Sequence, residues 1–174
     1  MTNRIDLDSP QAALAAPTIE ISPVAVVRTP FRERFGIPRQ PGLVPDVPGR
    51  LVFAPPYNRP EAVDGLEGFS HVWLVFGFHA NPDTGAGLTV RPPRLGGNRR
   101  VGVFASRSPY RPNRLGLSAV RLEGIDLTAE GPVLRLRGLD LLDGTPVYDV
   151  KPYVPYTDAV PDAVVAQLGE VAAR

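Results

Sequence analysis

His71-Val72-Trp73-Leu74-Val75-Phe76-Gly77-Phe78 is an almost unbroken apolar run. Its length and its β-branched and aromatic content predict a buried strand. Val133-Leu134-Arg135-Leu136-Arg137-Gly138-Leu139 instead alternates apolar and basic residues, the pattern of a strand with one face in water. Working outward, further strands are expected at Ile19–Val27, with Pro23 at an edge or bulge, and at Leu51–Ala54, Val101–Ala105 and Leu117–Leu122. Another follows at Val147–Val150, after the turn dipeptide Asp143-Gly144. Pro60 to Leu66 suits a helical turn with Asn58 as its N-cap. Val164, Val165, Leu168 and Val171 recur at helical spacing and predict a short C-terminal helix over Asp162–Ala173. Residues 1–17 have no useful period and are expected to be a mobile tail, leaving one domain over 18–174. About seven strands and few helices predict a mainly β protein, a small closed or nearly closed β-barrel with short helices.

Composition agrees. Gly (17) and Pro (21) together make up about a fifth of the 174 residues, which disfavours a helix bundle and favours short strands joined by turns. A hydrophobic content of 43% allows a packed core. The chain has no Cys, so disulfides, thiolate metal sites and Cys nucleophiles are excluded, and two His make a zinc site a poor expectation. No run of eighteen apolar residues and no signal-peptide pattern is present, so the expected location is the cytoplasm, with no membrane partner.

The formal net charge of +1 conceals a segregation. From Arg91 to Arg121 there are eight Arg and no Asp or Glu, whereas the rest of the chain is acidic. A concentrated arginine block suggests a polyanionic partner, most readily nucleic acid. The competing reading pairs some of these arginines with acids elsewhere in the fold. Lys151 is the single lysine beside eighteen arginines.

Four clusters can carry chemistry. Pro38-Arg39-Gln40-Pro41-Gly42 presents Arg39 and Gln40 on a loop stiffened by two prolines, although a solvated Pro-rich loop is the plainer reading. His79 leaves the buried run and either faces a pocket or satisfies a neighbouring carbonyl. The stretches Arg91–Asn98 and Ser106–Gly116 interleave Arg, Tyr, Pro and Gly, offering phosphate donors, a stacking face and backbone N–H groups. Finally, Asp149, Lys151 and Tyr153 alternate along an extended segment and share a face. They form either a proton-transfer group or a structural Asp–Lys pair.

Taken together, these residues resemble the TsaA/TrmO-type tRNA methyltransferases. The resemblance is carried by Pro38-Arg39-Gln40-Pro41-Gly42-Leu43, Ala54-Pro55-Pro56-Tyr57-Asn58 and Gly65-Leu66-Glu67-Gly68-Phe69-Ser70-His71. It continues through Val90-Arg91-Pro92-Pro93-Arg94-Leu95-Gly96-Gly97-Asn98, Gly102–Ser108, Arg111-Pro112-Asn113, Asp143–Pro146 and Asp149–Tyr153. It runs from about Ile19 to Tyr156.

The resemblance implies a β-barrel homodimer that transfers a methyl group from S-adenosylmethionine to N6 of threonylcarbamoyladenosine, next to the anticodon of tRNA. The implied cofactor contacts are Pro38, Arg39, Gln40, His79, Arg107, Leu117, Arg137, Gly138, Leu139 and Asp140. The arginine block, Arg91, Arg94, Arg99, Arg100, Arg111 and Arg114, is expected to include the tRNA phosphate contacts. Asp149 is the expected general base, with Lys151 and Tyr153 as orienting or charge-stabilising donors on the same face, and Asp140 is held in reserve. No metal is expected. Arg114 replaces the Pro that usually continues the motif, and longer relatives carry a further C-terminal domain, so grip on tRNA is expected from the barrel and a partner subunit. The rival reading is a non-catalytic RNA-binding β-barrel.

Overall fold

The structure is a computed structural model that describes residues 18–81, 87–92 and 100–164. Its strands are β1 (Ala25–Arg28), β2 (Pro48–Phe53), β3 (His71–Gly77), β4 (Thr89–Val90), β5 (Val101–Gly102), β6 (Leu115–Thr128), β7 (Gly131–Arg137) and β8 (Pro146–Pro152). Six of them close into a barrel in the order β1-β2-β7-β6-β3-β8, while β4 and β5 form a separate two-stranded ribbon. Every pairing is antiparallel. Closure leaves the barrel without an unpaired edge.

The apolar run quoted first is the wall that ties the barrel together. β3 pairs with β6 along its whole length (His71 with Arg121, Gly77 with Leu115) and with β8 on its other side. Flanked on both sides, it buries Val72, Leu74 and Phe76 in the core. These meet Leu51, Val120, Leu134, Leu136 and Val147 from the other strands. A bulge between Val75 and Phe76 adds Tyr148 to the β8 side, which leaves Val147 facing inward and returns Asp149 to register opposite Val75.

Several boundaries differ from the sequence reading for physical reasons. β1 begins only at Ala25, because Ile19 and Ile21 find no partner strand and stay exposed, and Pro23 has no N–H to give a ladder. β6 is 14 residues long, because it changes neighbour midway and pairs with β3 over 115–121 and with β7 over 121–128. The strand expected at Val101–Ala105 stops at Gly102 and turns into a 3-10 turn. Asn58 is not an N-cap: its side chain donates to Glu130 O at 2.9 Å, and Arg59 holds the cap position without a side-chain bond. A single helical turn, α1 (Pro155–Asp158), follows β8. Residues 162–164 are not helical, and the remainder of the expected C-terminal helix, like the expected tail at 1–17, lies outside the described residues. Among the described residues no helix is long and apolar enough to cross a membrane.

Alternation of strand direction sorts the connections into two ends. The segments 29–47, 78–114 and 138–145 emerge at one end, and 18–24, 54–70, 129–130 and 153–164 at the other. The described residues of the first set carry eight Arg and four carboxylates; those of the second carry one Arg and seven carboxylates. The barrel therefore has a basic end and an acidic end.

Candidate functional site

The basic end collects segments that are far apart in the chain. The 38–42 loop docks on the residues after β7: Gly42 N donates to Gly138 O at 2.9 Å, and Gly138 N donates to Val47 O at 2.9 Å. Gly138 has φ +74, and this left-handed backbone calls for glycine where the two loops meet. Gln40 then joins two loops. Its side-chain N–H bonds the Arg39 carbonyl, and its side-chain oxygen accepts from the Arg107 guanidinium.

Asp140 lies below this bridge. Its Oδ1 accepts from Ser118 Oγ at 2.8 Å, and Ser118 is itself buried on β6 beside the exposed Leu117. Burial pushes the Asp140 carboxyl above the usual carboxylate range, against the lowering effects of Ser118, its own backbone hydrogen bond and the Arg107 charge. The Nε2 of His79 faces the Asp143-Gly144 turn, 4.0 Å from where a Cβ on Gly144 would stand. Arg39, Gln40, His79, Arg107, Leu117 and Asp140 are thus brought to one end of the barrel, around loops that contact one another.

Other expected residues at this end are committed elsewhere. Leu139 is fully buried in the core, so only its main chain is available. Arg137 bonds Glu123 at 2.6 Å and the Asp46 carbonyl at 3.1 Å, so it holds the 29–47 loop. Pro38 is half-buried and shapes the same loop. Among the arginines, Arg91 and Arg100 are exposed, whereas Arg111 braces its own turn through Ser106 O at 2.6 Å. Arg114, the departure from the motif, adopts a left-handed φ of 50, unusual for a residue with a side chain, and its carbonyl accepts from Phe78 N at 2.8 Å. Arg94 and Arg99 lie outside the described residues.

The trio Asp149, Lys151 and Tyr153 is placed differently. Lys151 Nζ and Asp149 Oδ2 are 3.2 Å apart and share an outward face, as the alternation predicts. However, Lys151 lies opposite Trp73, and Tyr153 N donates to His71 O, which puts the trio toward the acidic end. The Tyr153 ring packs at 5.4 Å from the Trp73 ring. Asp149 also lines an open cavity of about 570 Å³ with Val24, Phe53, Tyr57, Leu66 and Phe69. Within one chain, the trio does not join the Arg39–Arg107–Asp140 group.

Two contributors escaped the sequence reading. Ser118 occupies an inward position in line with Val120 and Leu122, and a polar residue there was the available signal. Asp143 is more than a turn former: it accepts from Thr29 N at 3.0 Å and pairs with Arg28 and Arg32, clamping the 138–145 segment to β1.

What this end can hold follows from its donors. Two guanidiniums suit a carboxylate, the half-buried Asp140 adds a negative charge beside Arg107, and exposed Leu117 offers an apolar face. That set fits a zwitterionic nucleoside such as S-adenosylmethionine.

Comparison with known proteins agrees with this fit. The chain is 49% identical over 146 residues to the tRNA (adenine(37)-N6)-methyltransferase of Escherichia coli, covering 84% of this chain and 62% of that protein. It is 56% identical over 146 residues to RcsF of Pseudomonas aeruginosa, provisionally named as an S-adenosylmethionine-dependent methyltransferase, with the same coverage. The crystal structure of TrmO superposes with a TM-score of 0.71 at 50% identity, covering 86% of this chain and 64% of that one. The chain thus spans about three fifths of the length of these relatives. Residues 26–159 match the tRNA-methyltransferase O N-terminal domain. With that match and the shared barrel, the chain belongs to the tRNA-methyltransferase O N-terminal domain family.

Proposed function

We propose that this protein methylates N6 of adenosine 37 in tRNA, using S-adenosylmethionine, and that the adenosine it accepts is threonylcarbamoyladenosine. The observation that carries the reading is the convergence of Arg39, Gln40, His79, Arg107, Leu117 and Asp140 at the basic end of a barrel whose relatives are named for this reaction. We further propose that it works as a cytoplasmic homodimer on the anticodon stem-loop, within a single domain over 18–174.

S-adenosylmethionine would supply an electrophilic methyl group, its sulfonium leaving as a neutral thioether when the C–S bond breaks. Arg107 and Arg39 would hold its carboxylate, a role supported by Gln40, which ties the Arg107 guanidinium to the loop that carries Arg39. The carbamoyl carbonyl on the substrate withdraws electron density from N6, so a neighbouring base must take the N6 proton as the methyl group arrives. Among the described carboxylates at this end, Asp143 is occupied by Arg28, Arg32 and Thr29, and Glu33 and Asp46 are exposed. Asp140 remains, half-buried beside Arg107 and oriented by Ser118. We therefore assign proton removal to Asp140 in the chain that holds the cofactor. Asp149, with Lys151 and Tyr153, is the alternative where two chains combine.

Incubating the protein with S-adenosylmethionine and tRNA, followed by nucleoside mass spectrometry, tests the reading. One added methyl group on threonylcarbamoyladenosine is expected, with unmodified adenosine 37 left alone. RNA binding with neither methyl transfer nor calorimetric binding of S-adenosylmethionine would establish the non-catalytic barrel in its place.

A further inference from the structure

Phe104 is an aromatic side chain that the core does not use. It lies on the 3-10 turn Val103–Ala105, where Val103 points into the protein with 3% exposure and Phe104 points out with 80%. The turn is pinned on several sides. Val103 N donates to Leu88 O at 3.0 Å, Ser106 Oγ donates to Val103 O at 3.0 Å, and Arg111 Nη1 donates to Ser106 O at 2.6 Å. The phenyl ring therefore stands in solvent on a rigid platform and needs little ordering before it can engage a partner.

Its surroundings select the partner. The turn lies within the stretch from Arg91 to Arg121, which contains no Asp or Glu. Arg107, three residues further on, reaches Gln40 in the candidate cofactor loop. An exposed π-face among guanidiniums, with no carboxylate in the stretch, is complementary to a polyanion that carries unpaired bases. A duplex offers phosphates but keeps its base faces stacked. An adenosine whose N6 is to react must likewise leave its stack, and this exposes the face of a neighbouring base.

We infer that Phe104 is a stacking platform for an unpaired base of the RNA loop that enters the basic end; this rests on the tRNA reading above. The ring contributes contact with a loop and none with a blunt duplex, whereas the arginines serve both.

The test uses the full chain with a synthetic anticodon stem-loop RNA and a blunt duplex of the same stem. Phe104→Ala is expected to weaken stem-loop binding by roughly five- to 150-fold, the range for loss of one stacked base. Duplex affinity, the salt slope of binding and calorimetric binding of S-adenosylmethionine should stay unchanged, and Phe104→Tyr should retain loop affinity. Phe104→Trp adds a direct readout: its fluorescence should be quenched by the stem-loop and not by the duplex. The native indole, Trp73, is hydrogen-bonded to Asp158 toward the other end of the barrel. Unquenched Phe104→Trp together with full stem-loop affinity of Phe104→Ala would overturn the inference and leave the tRNA reading intact. A change in oligomeric state of Phe104→Ala with RNA affinity intact would assign the ring to contacts between copies, and would also overturn it. A wild-type chain that binds no stem-loop would remove the tRNA reading itself.

Discussion

The two ends of the barrel contrast most clearly in two aspartates. Asp140, at the basic end, accepts from Ser118, and burial raises its pKa. Asp158, at the acidic end, is half-buried, and the Val154 backbone N–H at 2.8 Å and the Trp73 indole at 2.9 Å hold its carboxyl below the usual range. In the first environment burial outweighs the carboxylate's hydrogen bonds; in the second the hydrogen bonds outweigh burial. A carboxylate ionised against the cost of its burial is a candidate for chemistry, whereas one stabilised by its hydrogen bonds is a brace. Two cations differ in the same way. Arg107 ends on a neutral amide and so keeps charge to offer a ligand, while Lys151 is matched by Asp149.

The largest effect that separates the ends is expected in turnover. Asp140→Asn retains shape and the Ser118 contact but removes the base, so methyl transfer should fall by about 10²–10⁴. Asp149→Asn should leave turnover within a few-fold. The opposite ranking in a single-turnover assay would move the base to the Asp149 cavity and imply that two chains share one site.

A middle-sized effect belongs to cofactor binding. Arg107→Ala and Arg39→Ala should each cost about 1.5–3 kcal/mol, roughly ten- to a hundredfold in affinity for S-adenosylmethionine by calorimetry. Lys151→Ala, which breaks an exposed pair, should leave that affinity unchanged and alter stability by about 0–1 kcal/mol. Equal losses from both ends would mean that the two ends do not differ in cofactor binding.

The smallest effects are in stability against pH, and they have opposite signs. Because the folded pKa of Asp140 is raised, ionising it opposes folding: its favourable contribution is present below the unfolded carboxylate pKa and is lost as pH rises through the folded value. Asp140→Asn should therefore melt higher than wild type at neutral pH, by roughly a few degrees, with the gap closing on acidification. Asp158 is depressed, so its contribution is present above the unfolded value and is lost as pH falls through the folded one. Asp158→Asn should melt lower at neutral pH, with its gap also closing in acid. Melting curves across the carboxylate range that show the same sign for both variants would refute the contrast.

Local sequence pattern specifies the strands and the wall that holds them. Period-2 alternation in Val133–Leu139 and the apolar run of His71–Phe78 are local consequences of which faces must leave water, and both appear as strands at nearly the expected positions. The motif order was also sufficient to recognise the family, and the arginine-rich stretch was visible as composition. Only the tertiary structure decided which end of the barrel each loop occupies, because strand order and closure depend on contacts between residues remote in sequence. Gln40 and Arg107 meet across 67 positions, and Ser118 and Asp140 across 22. Asp149, Lys151 and Tyr153 did share a face, as their spacing required, yet spacing along one strand carries no information about which loops surround it. That placement is set by register and by the direction in which each strand runs, and it put the trio toward the acidic end of the barrel, away from the loops of Arg39 and Arg107.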